Sequence, residues 1–334
     1  MIKLIKKYYK FILIYIIIFV LLLIKFPFYI EAPGGIIDIN DRIKIDNSYE
    51  SSGTFNLSYV SEYNATIITL LISLFNSDYK VLSKDEVIPS DIDIKNYQFR
   101  DKIMLKEAVS NAIYVGYNKA GKEVLVNNEL IYVNTILDIA DTNLEVGDQI
   151  LEVNNIKINS KEDIDNIIKD YKLDKIDIKI IRNNKEEVKF AKLVVYEDKK
   201  IIGILVSKVK DMDTTPNINI NYKAKESGPS GGLMLSLAIY NSLISTDITK
   251  GRTIVGTGTI DEYGNVGSIG GVEYKLKGAV KNKADIFLVP DGENYEDACK
   301  LKKEKKYKIK IKGVKTFDEA IDYLMSTWKM LDLV

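Results

Sequence analysis

Between Glu226 and Gly232 the chain reads ESGPSGG, a serine set between a proline and two glycines, just ahead of the apolar run LMLSLAIYNSLI (233–244). That run is apolar nearly all round, which marks a buried helix. Ser230 falls at or just before its first turn, where free backbone N–H groups and the helix dipole favour negative charge. A developing oxyanion could be held there by the N–H groups of Ser230 and Gly231. The same position equally suits a plain N-cap, from Ser227 or Ser230. A nucleophilic serine needs a proton acceptor, and the chain has no histidine. A Ser-His-Asp triad, a Cys-His dyad and an imidazole metal site are therefore all excluded.

The second candidate lies in RTIVGTGTIDEYGNVGSIGGVEYKLKGAVKNKADIFLVP (252–290). A strand TIVGTGTID leads to a turn, and Gly270-Gly271 opens a helix, VEYKLKGAVKNK. On a wheel of about 100° per residue, Val272, Leu276, Ala279 and Val280 make one face. Lys275 lies at the edge of that face, while Lys277 and Lys281 are expected to point to solvent. A lysine forced onto an apolar face loses solvation, which lowers its pKa and favours the neutral amine. A neutral amine beside Ser230 is a competent general base. Snorkelling is the ordinary alternative for such a lysine.

Composition narrows the remaining chemistry. Of 334 residues, 47 are basic and 47 acidic, so no concentrated positive charge points to nucleic acid. Gly116–Lys122, GYNKAGK, has phosphate-loop spacing, but Glu123 follows where Ser or Thr should stand, and the motif is flanked by helix and strand in the wrong order. With no other phosphate loop, no ATP is expected. The lone Cys299 cannot form an internal disulfide and sits in an exposed helical stretch, YEDACKLKKEKK. No cofactor and no metal are expected.

The amino end reads as a membrane signal. Residues 11–24, FILIYIIIFVLLLI, carry no charge, and extension through Lys25 to FPFYI gives a stretch of about 20 residues, the length of a span. Lys10 and Lys25 could snorkel, and Tyr8, Tyr9, Phe26, Phe28 and Tyr29 supply interfacial aromatics. Lys3, Lys6, Lys7 and Lys10 precede the run, placing the amino end in the cytoplasm and the rest outside. The only cleavage candidate, after Ala32, is followed by Pro33, which favours an uncleaved single-pass anchor over a signal peptide.

The middle alternates in character. GTFNLSYVS (53–61) reads as a strand, ATIITLLISLF (65–75) as a helix, and MLKEAVSNAIYVGYN (104–118) as a helix with Leu105, Val109, Ala112 and Ile113 at helical spacing. KIDIKIIRNNKEEVKFAKL (175–193) is a hairpin turning at Asn183-Asn184. LEVGDQILEVNNIKINSKEDIDNII closely resembles a PDZ domain. The resemblance implies a peptide groove in which an extended peptide adds a strand to a sheet edge. Its carboxylate loop would fall near Glu129, Leu130, Ile131 and Tyr132. The family usually has a glycine in that loop; none stands here.

Taken together, GPSGGL, then TGTI with GxVGxIGGVxxK, then KGA…ADIFLVP resemble the proteolytic domain of Lon-type serine proteases, across about residues 217–325. The resemblance implies that Ser230 is the nucleophile and Lys275 its base, with Thr257 supporting the pair. Gly231 stands where the family usually has alanine, and Ser227 where cytoplasmic members often have aspartate. The order of anchor, PDZ-like module and Lon-like domain is similar to membrane-anchored, PDZ-containing Lon-like proteases of bacteria. The expected fold is α+β, with an N-terminal transmembrane helix, a PDZ-like module and a Lon-type proteolytic domain. Expected boundaries are 1–32 for stub and anchor, 33–122 for an α/β segment belonging to the protease fold, 123–198 for the PDZ-like domain and 199–334 for the catalytic region. The expected activity is an ATP-independent serine endopeptidase acting outside the plasma membrane on peptides or on unfolded and membrane-exposed protein segments. Lon-like domains often form rings, so a homo-oligomer is an expected partner alongside the membrane and peptide substrates. The competing expectation is an inactive, membrane-tethered peptide-binding adaptor that needs neither Ser230 nor Lys275.

Overall fold

The computed structural model describes residues 2–88, 94–169, 171–223 and 226–327, and side chains from Tyr8 onward. Two six-stranded sheets organise an α+β fold. The first runs in the order β18 (Lys310–Val314), β17 (Ile286–Pro290), β14 (Thr253–Gly256), β3 (Thr54–Thr66), β1 (Lys25–Asp38), β4 (Lys80–Ser83). β14 pairs in parallel with both β17 and β3, and β1 pairs antiparallel with β3 and β4. Residues 25–83 and 253–314 thus share one layer.

Both faces of that layer are covered, and the strands show it in their side chains. Ile254, Ile286 and Leu288 enter one core, with α6 (Gly232–Leu243), α4 (Ile94–Lys119) and α9 (Phe317–Ser326). Val255, Phe287 and Val289, the alternate positions, enter another, with α7 (Val272–Lys281) and α8 (Glu293–Lys305). A period of two sends neighbouring residues to opposite faces, so these strands are apolar throughout, as strands covered on both sides must be. α6 and α7 consequently lie on opposite faces of β14.

The second sheet runs β12 (Ile204–Thr215), β5 (Glu123–Ile136), β6 (Gln149–Val153), β8 (Lys175–Arg182), β9 (Lys185–Lys192), with β7 (Ile156–Lys157) on β6. α5 (Lys161–Lys169) buries Ile164 and Ile168 in its core. The β8–β9 turn has φ of 52° at Asn183 and 60° at Asn184, as a two-residue hairpin of matching twist requires. Short pairs complete the molecule: β2 (Ile43–Ile45) with β13 (Ile218–Ile220), β15 (Thr259–Ile260) with β16 (Val266–Gly267), and β10 (Val194–Tyr196) with β11 (Lys199–Ile201).

Two expectations need correcting. The amino-terminal apolar run does not extend through FPFYI. α1 (Ile2–Leu23) stops, and Lys25 begins β1, whose Phe28, Tyr29 and Ile30 pair with β4. The helical part of the uncharged run is therefore residues 11–23, about 20 Å at 1.5 Å per residue, short of the roughly 30 Å hydrocarbon core. Among the described residues no helix is long and apolar enough to cross a membrane. The side chains of Lys3, Lys6 and Lys7 lie outside the described residues. The second correction concerns Lys277, which does not face open solvent. It is half-buried and forms an ion pair with Asp78 at 2.7 Å. The GYNKAGK stretch closes α4 and leads into β5.

Candidate active site

Ser230 does not cap α6. The N-cap is Gly231, and it makes no side-chain cap hydrogen bond. The turn carrying Ser230 is instead stitched to the residues just beyond β14. Gly258 N–H donates to the Ser230 carbonyl at 2.8 Å, and Leu233 N–H donates to the Gly258 carbonyl at 3.1 Å. The Thr257 hydroxyl adds a second bond to the Ser230 carbonyl at 3.1 Å. These contacts explain Gly232: a Cβ there would stand 2.8 Å from Ile260 Cγ2 and 3.0 Å from Ile260 N, so only glycine lets the two segments meet. Upstream, Gly228 N–H donates to the Asp101 carbonyl on α4, and Arg42 holds Glu226 through its Nε and Nη2 at 2.7–3.2 Å.

Lys275 arrives from the other face of the sheet. Gly271, at φ 67°, turns the chain into α7, and Val272, Leu276 and Ala279 bury their side chains against β14 and β17. That packing carries Lys275 inward to 5% exposure. Desolvation by burial lowers its pKa to about 8 from the usual 10.5. Its Nζ donates to Thr257 Oγ1 at 3.2 Å, and among the described residues it makes no ion pair.

Thr257 explains how two helices on opposite faces reach one place. β14 ends at Gly256, and the expected continuous strand TIVGTGTID breaks there. Thr257 N–H still donates to the Leu288 carbonyl of β17, while the next residue turns towards the Ser230 loop. Beyond the carboxyl end of a strand whose flanking helices lie on opposite faces, an open α/β sheet leaves a crevice. Ser230 lines a cavity of about 390 Å³ there, with Leu57, Val60, Val109 and Tyr222 among its walls. Lys275 is not among the walls of this cavity. In the first turn of α6, Gly232 N–H and Leu233 N–H are taken by the Pro229 and Gly258 carbonyls. The N–H groups of Ser230 and Gly231 meet no acceptor among the described residues.

Ser230 and Gly231 line this cavity, while Thr257, outside its walls, links Lys275 to the Ser230 carbonyl. The structure places Leu130, Ile131 and Tyr132 elsewhere, in β5, and there the expected groove meets an obstacle. Leu130–Tyr132 pair with β12, and Ile131 and Tyr132 also pair with β6. A strand already paired on both sides offers no edge to a peptide. The Arg42–Glu226 pair was not foreseen; its partners lie 184 residues apart, and only the closeness of Glu226 to Ser230 hinted at a role. Among the described residues no cluster of cysteine, aspartate and glutamate is arranged to hold a metal ion.

Residues 144–327 match the Lon protease (S16) C-terminal proteolytic domain. Over 140 residues the chain is 31% identical to the Lon protease of Xanthomonas oryzae, covering 41% of this chain and 16% of that protein. Over 117 residues it is 28% identical to Lon protease 2 of Borreliella burgdorferi, covering 34% of this chain and 14% of that protein. The match thus spans less than a fifth of the length of either relative. Among solved structures, the PDZ domain of the SdrC-like protein from Listeria monocytogenes is 23% identical, with a TM-score of 0.22 over 25% of this chain and 92% of that one.

Proposed function

We propose that this chain, which belongs to the Lon protease (S16) C-terminal proteolytic domain family, is a serine endopeptidase that works without ATP, with Ser230 as nucleophile and Lys275 as general base. The observation that carries this reading is the state of Lys275: buried, unpaired by any carboxylate among the described residues, and lowered to about 8. With a pKa of about 8, roughly a tenth of the amine is neutral and able to accept a proton at pH 7, and about half at pH 8. Thr257 ties the amine to the serine turn, through one hydrogen bond on each side.

In this reading the neutral amine takes the Ser230 proton and the oxygen attacks the substrate carbonyl carbon. The negative oxygen of the tetrahedral intermediate is received by the N–H groups of Ser230 and Gly231. The ammonium then protonates the departing nitrogen as the C–N bond breaks, leaving an ester on Ser230. Lys275, neutral again, deprotonates a water that attacks the ester and frees the serine. No part of the proposed cycle unfolds a substrate, so extended or loosely folded polypeptides fit it.

Attachment to a membrane through α1 belongs to the same proposal. Phe11, Tyr15 and Phe19 are more than 60% exposed on the 11–23 part of α1, which is apolar on all sides, a surface suited to lipid. Sedimentation with membranes, and protease access from outside intact cells, test attachment and sidedness.

The test of the activity is digestion of an unstructured protein by the full chain and by Ser230→Ala and Lys275→Ala. Cleavage by the wild type alone is expected. Equal cleavage by either variant overturns the assignment. Absence of any cleavage returns the choice to the inactive peptide-binding adaptor.

A further inference from the structure

The stretch ATIITLLISLF folds as α2 (Ile67–Phe75), and none of its side chains is buried. Ile68, Leu71, Ile72 and Phe75 follow the spacing of one helical face. All four are exposed, Phe75 to 90%, and so is Leu74 beside them. So much apolar surface on one short helix marks a contact with something outside the chain. The helix is well anchored at its start. Thr66 closes a capping box, its Oγ1 accepting from the Thr69 N–H while its own N–H donates to Thr69 Oγ1. Ile67 and Leu70 are half-buried on the other side, and α2 lies against both α1 and β4.

Its place in the fold says what that contact is. α1 ends at Leu23, and Lys25 begins β1. Across the sheet Lys25 pairs with Thr66, the N-cap of α2. Paired Cα atoms in an antiparallel ladder are about 5 Å apart. α2 therefore starts one strand spacing from the point where α1 leaves the sheet, and a bilayer reached by α1 is reached by α2 as well. The chemistry of α2 also suits lipid better than a protein partner. Ile67–Phe75 carries no charge. Its two hydroxyls bond back onto the helix, Thr69 Oγ1 donating to the Thr66 carbonyl at 3.1 Å and Ser73 Oγ to the Leu70 carbonyl at 2.7 Å. A protein interface carries hydrogen bonds at its rim, whereas lipid requires polar groups to be satisfied within the chain. Depth agrees. The 11–23 part of α1 falls roughly 10 Å short of the hydrocarbon core, and an interfacial helix sinks by about 5–10 Å.

We propose that α2 is a second membrane contact beside α1, lying in the bilayer surface with Ile68, Leu71, Ile72 and Phe75 among the acyl chains. The inference rests on the attachment reading of α1 for its geometry. Two contacts fix an orientation that a single helix would leave free. Val60, in the wall of the Ser230 cavity, and Thr66 lie on the same strand, six residues apart, about 20 Å at roughly 3.3 Å per residue. Seating α2 on lipid thus holds the Ser230 crevice within about 20 Å of the bilayer, in reach of polypeptide segments that emerge from it.

The experiment uses the full chain, its single tryptophan removed by Trp328→Phe, in vesicles of phosphatidylcholine and phosphatidylglycerol. Phe75→Trp, Phe19→Trp and Tyr49→Trp are introduced one at a time. Tyr49 is half exposed and precedes β3 at the end away from Thr66. Bromine on the acyl chains quenches a tryptophan that touches them. The expected result is that fluorescence of Phe75→Trp and Phe19→Trp falls by about half or more in brominated vesicles, while that of Tyr49→Trp changes by less than about a tenth. Quenching of Phe19→Trp without Phe75→Trp overturns the α2 contact and keeps attachment through α1. Quenching of Phe75→Trp alone keeps the α2 contact and overturns attachment through α1. Quenching of neither overturns both, and equal quenching of all three overturns the orientation. With Phe75→Trp unquenched, a sedimentation coefficient in detergent that falls in the double variant Leu71→Gln, Phe75→Gln assigns the face to a second copy of the chain.

Discussion

Among the described residues, two lysines are almost fully buried, and they have opposite surroundings. Lys275 is 5% exposed and Lys210 is 7% exposed. Lys210, on β12, forms an ion pair with Glu262 at 2.6 Å and lies 3.7 Å from Glu129. Lys208 reaches the same Glu262 at 2.7 Å, so two strand lysines and the turn before β16 make one ion-paired cluster. Burial pushes the Glu262 carboxyl up, but the hydrogen bonds from Lys208 and Lys210 outweigh it and hold it below its usual range. Lys275 has no such partner; a threonine hydroxyl is its hydrogen-bond acceptor. The comparison shows that burial alone does not make a lysine a base. Burial pushes the Lys208 ammonium down, but its hydrogen bond and charge contact with Glu262 outweigh that and leave its pKa raised, whereas Lys275, with no carboxylate at ion-pair distance, is lowered by burial alone.

The largest expected effect comes from exchanging the two lysines for methionine. Lys275→Met should reduce kcat/KM by on the order of 10³-fold or more, the scale of losing a general base. It should also raise stability. A depression from 10.5 to about 8 corresponds to on the order of 3 kcal/mol of cost for burying the charge, at roughly 1.4 kcal/mol per pKa unit. Lys210→Met should do the reverse, leaving activity within about threefold while destabilising by about 1–3 kcal/mol through the charge-assisted contact it removes. Urea melts of both variants, beside peptide kinetics, check the contrast. Destabilisation of Lys275→Met would break it.

Next in size is the pH dependence. The folded pKa of Lys275 lies below the ordinary value, so the unfolded chain binds the extra proton between pH 8 and 10.5. Stability contributed through this residue therefore rises with pH across that window, and the full cost is present below it. The advantage of Lys275→Met in urea should shrink as pH climbs from 8 to 10.5. Over the same scale kcat/KM of the wild type should rise about tenfold per unit below pH 8 and level off above it.

Smaller still is the link between the amine and the serine turn. Thr257→Val removes both hydroxyl bonds, to Lys275 and to the Ser230 carbonyl, and should lower kcat by about 10-fold to 100-fold with little change in KM. Thr257→Ser should restore most of it. Equal loss in both variants points to packing rather than to the hydroxyl.

Much of the site was legible in the sequence, because local patterns encode it. The spacing of Val272, Leu276 and Ala279 put Lys275 at the edge of an apolar face before any contact was known. The break of TIVGTGTID at Thr257 was not legible, since it depends on Leu288 and Ser230, partners from distant parts of the chain. The extent of the amino-terminal helix was misread for a related reason. FPFYI is as apolar as the run before it, and only pairing with β4 assigns it to a strand. The carboxylate loop expected near Glu129–Tyr132 falls inside β5 instead, where Ile131 and Tyr132 pair with β12 on one side and β6 on the other, partners distant in sequence.

The most direct test of the Ser230–Lys275 assignment is the rate at which a serine-reactive fluorophosphonate labels the protein as pH is varied, with the modified residue mapped by mass spectrometry. The expected result is one adduct, on Ser230, forming at a rate that follows deprotonation of a group near pH 8, and loss of that labelling in Lys275→Met. An adduct elsewhere, or an unchanged Ser230 labelling rate in Lys275→Met, contradicts the account.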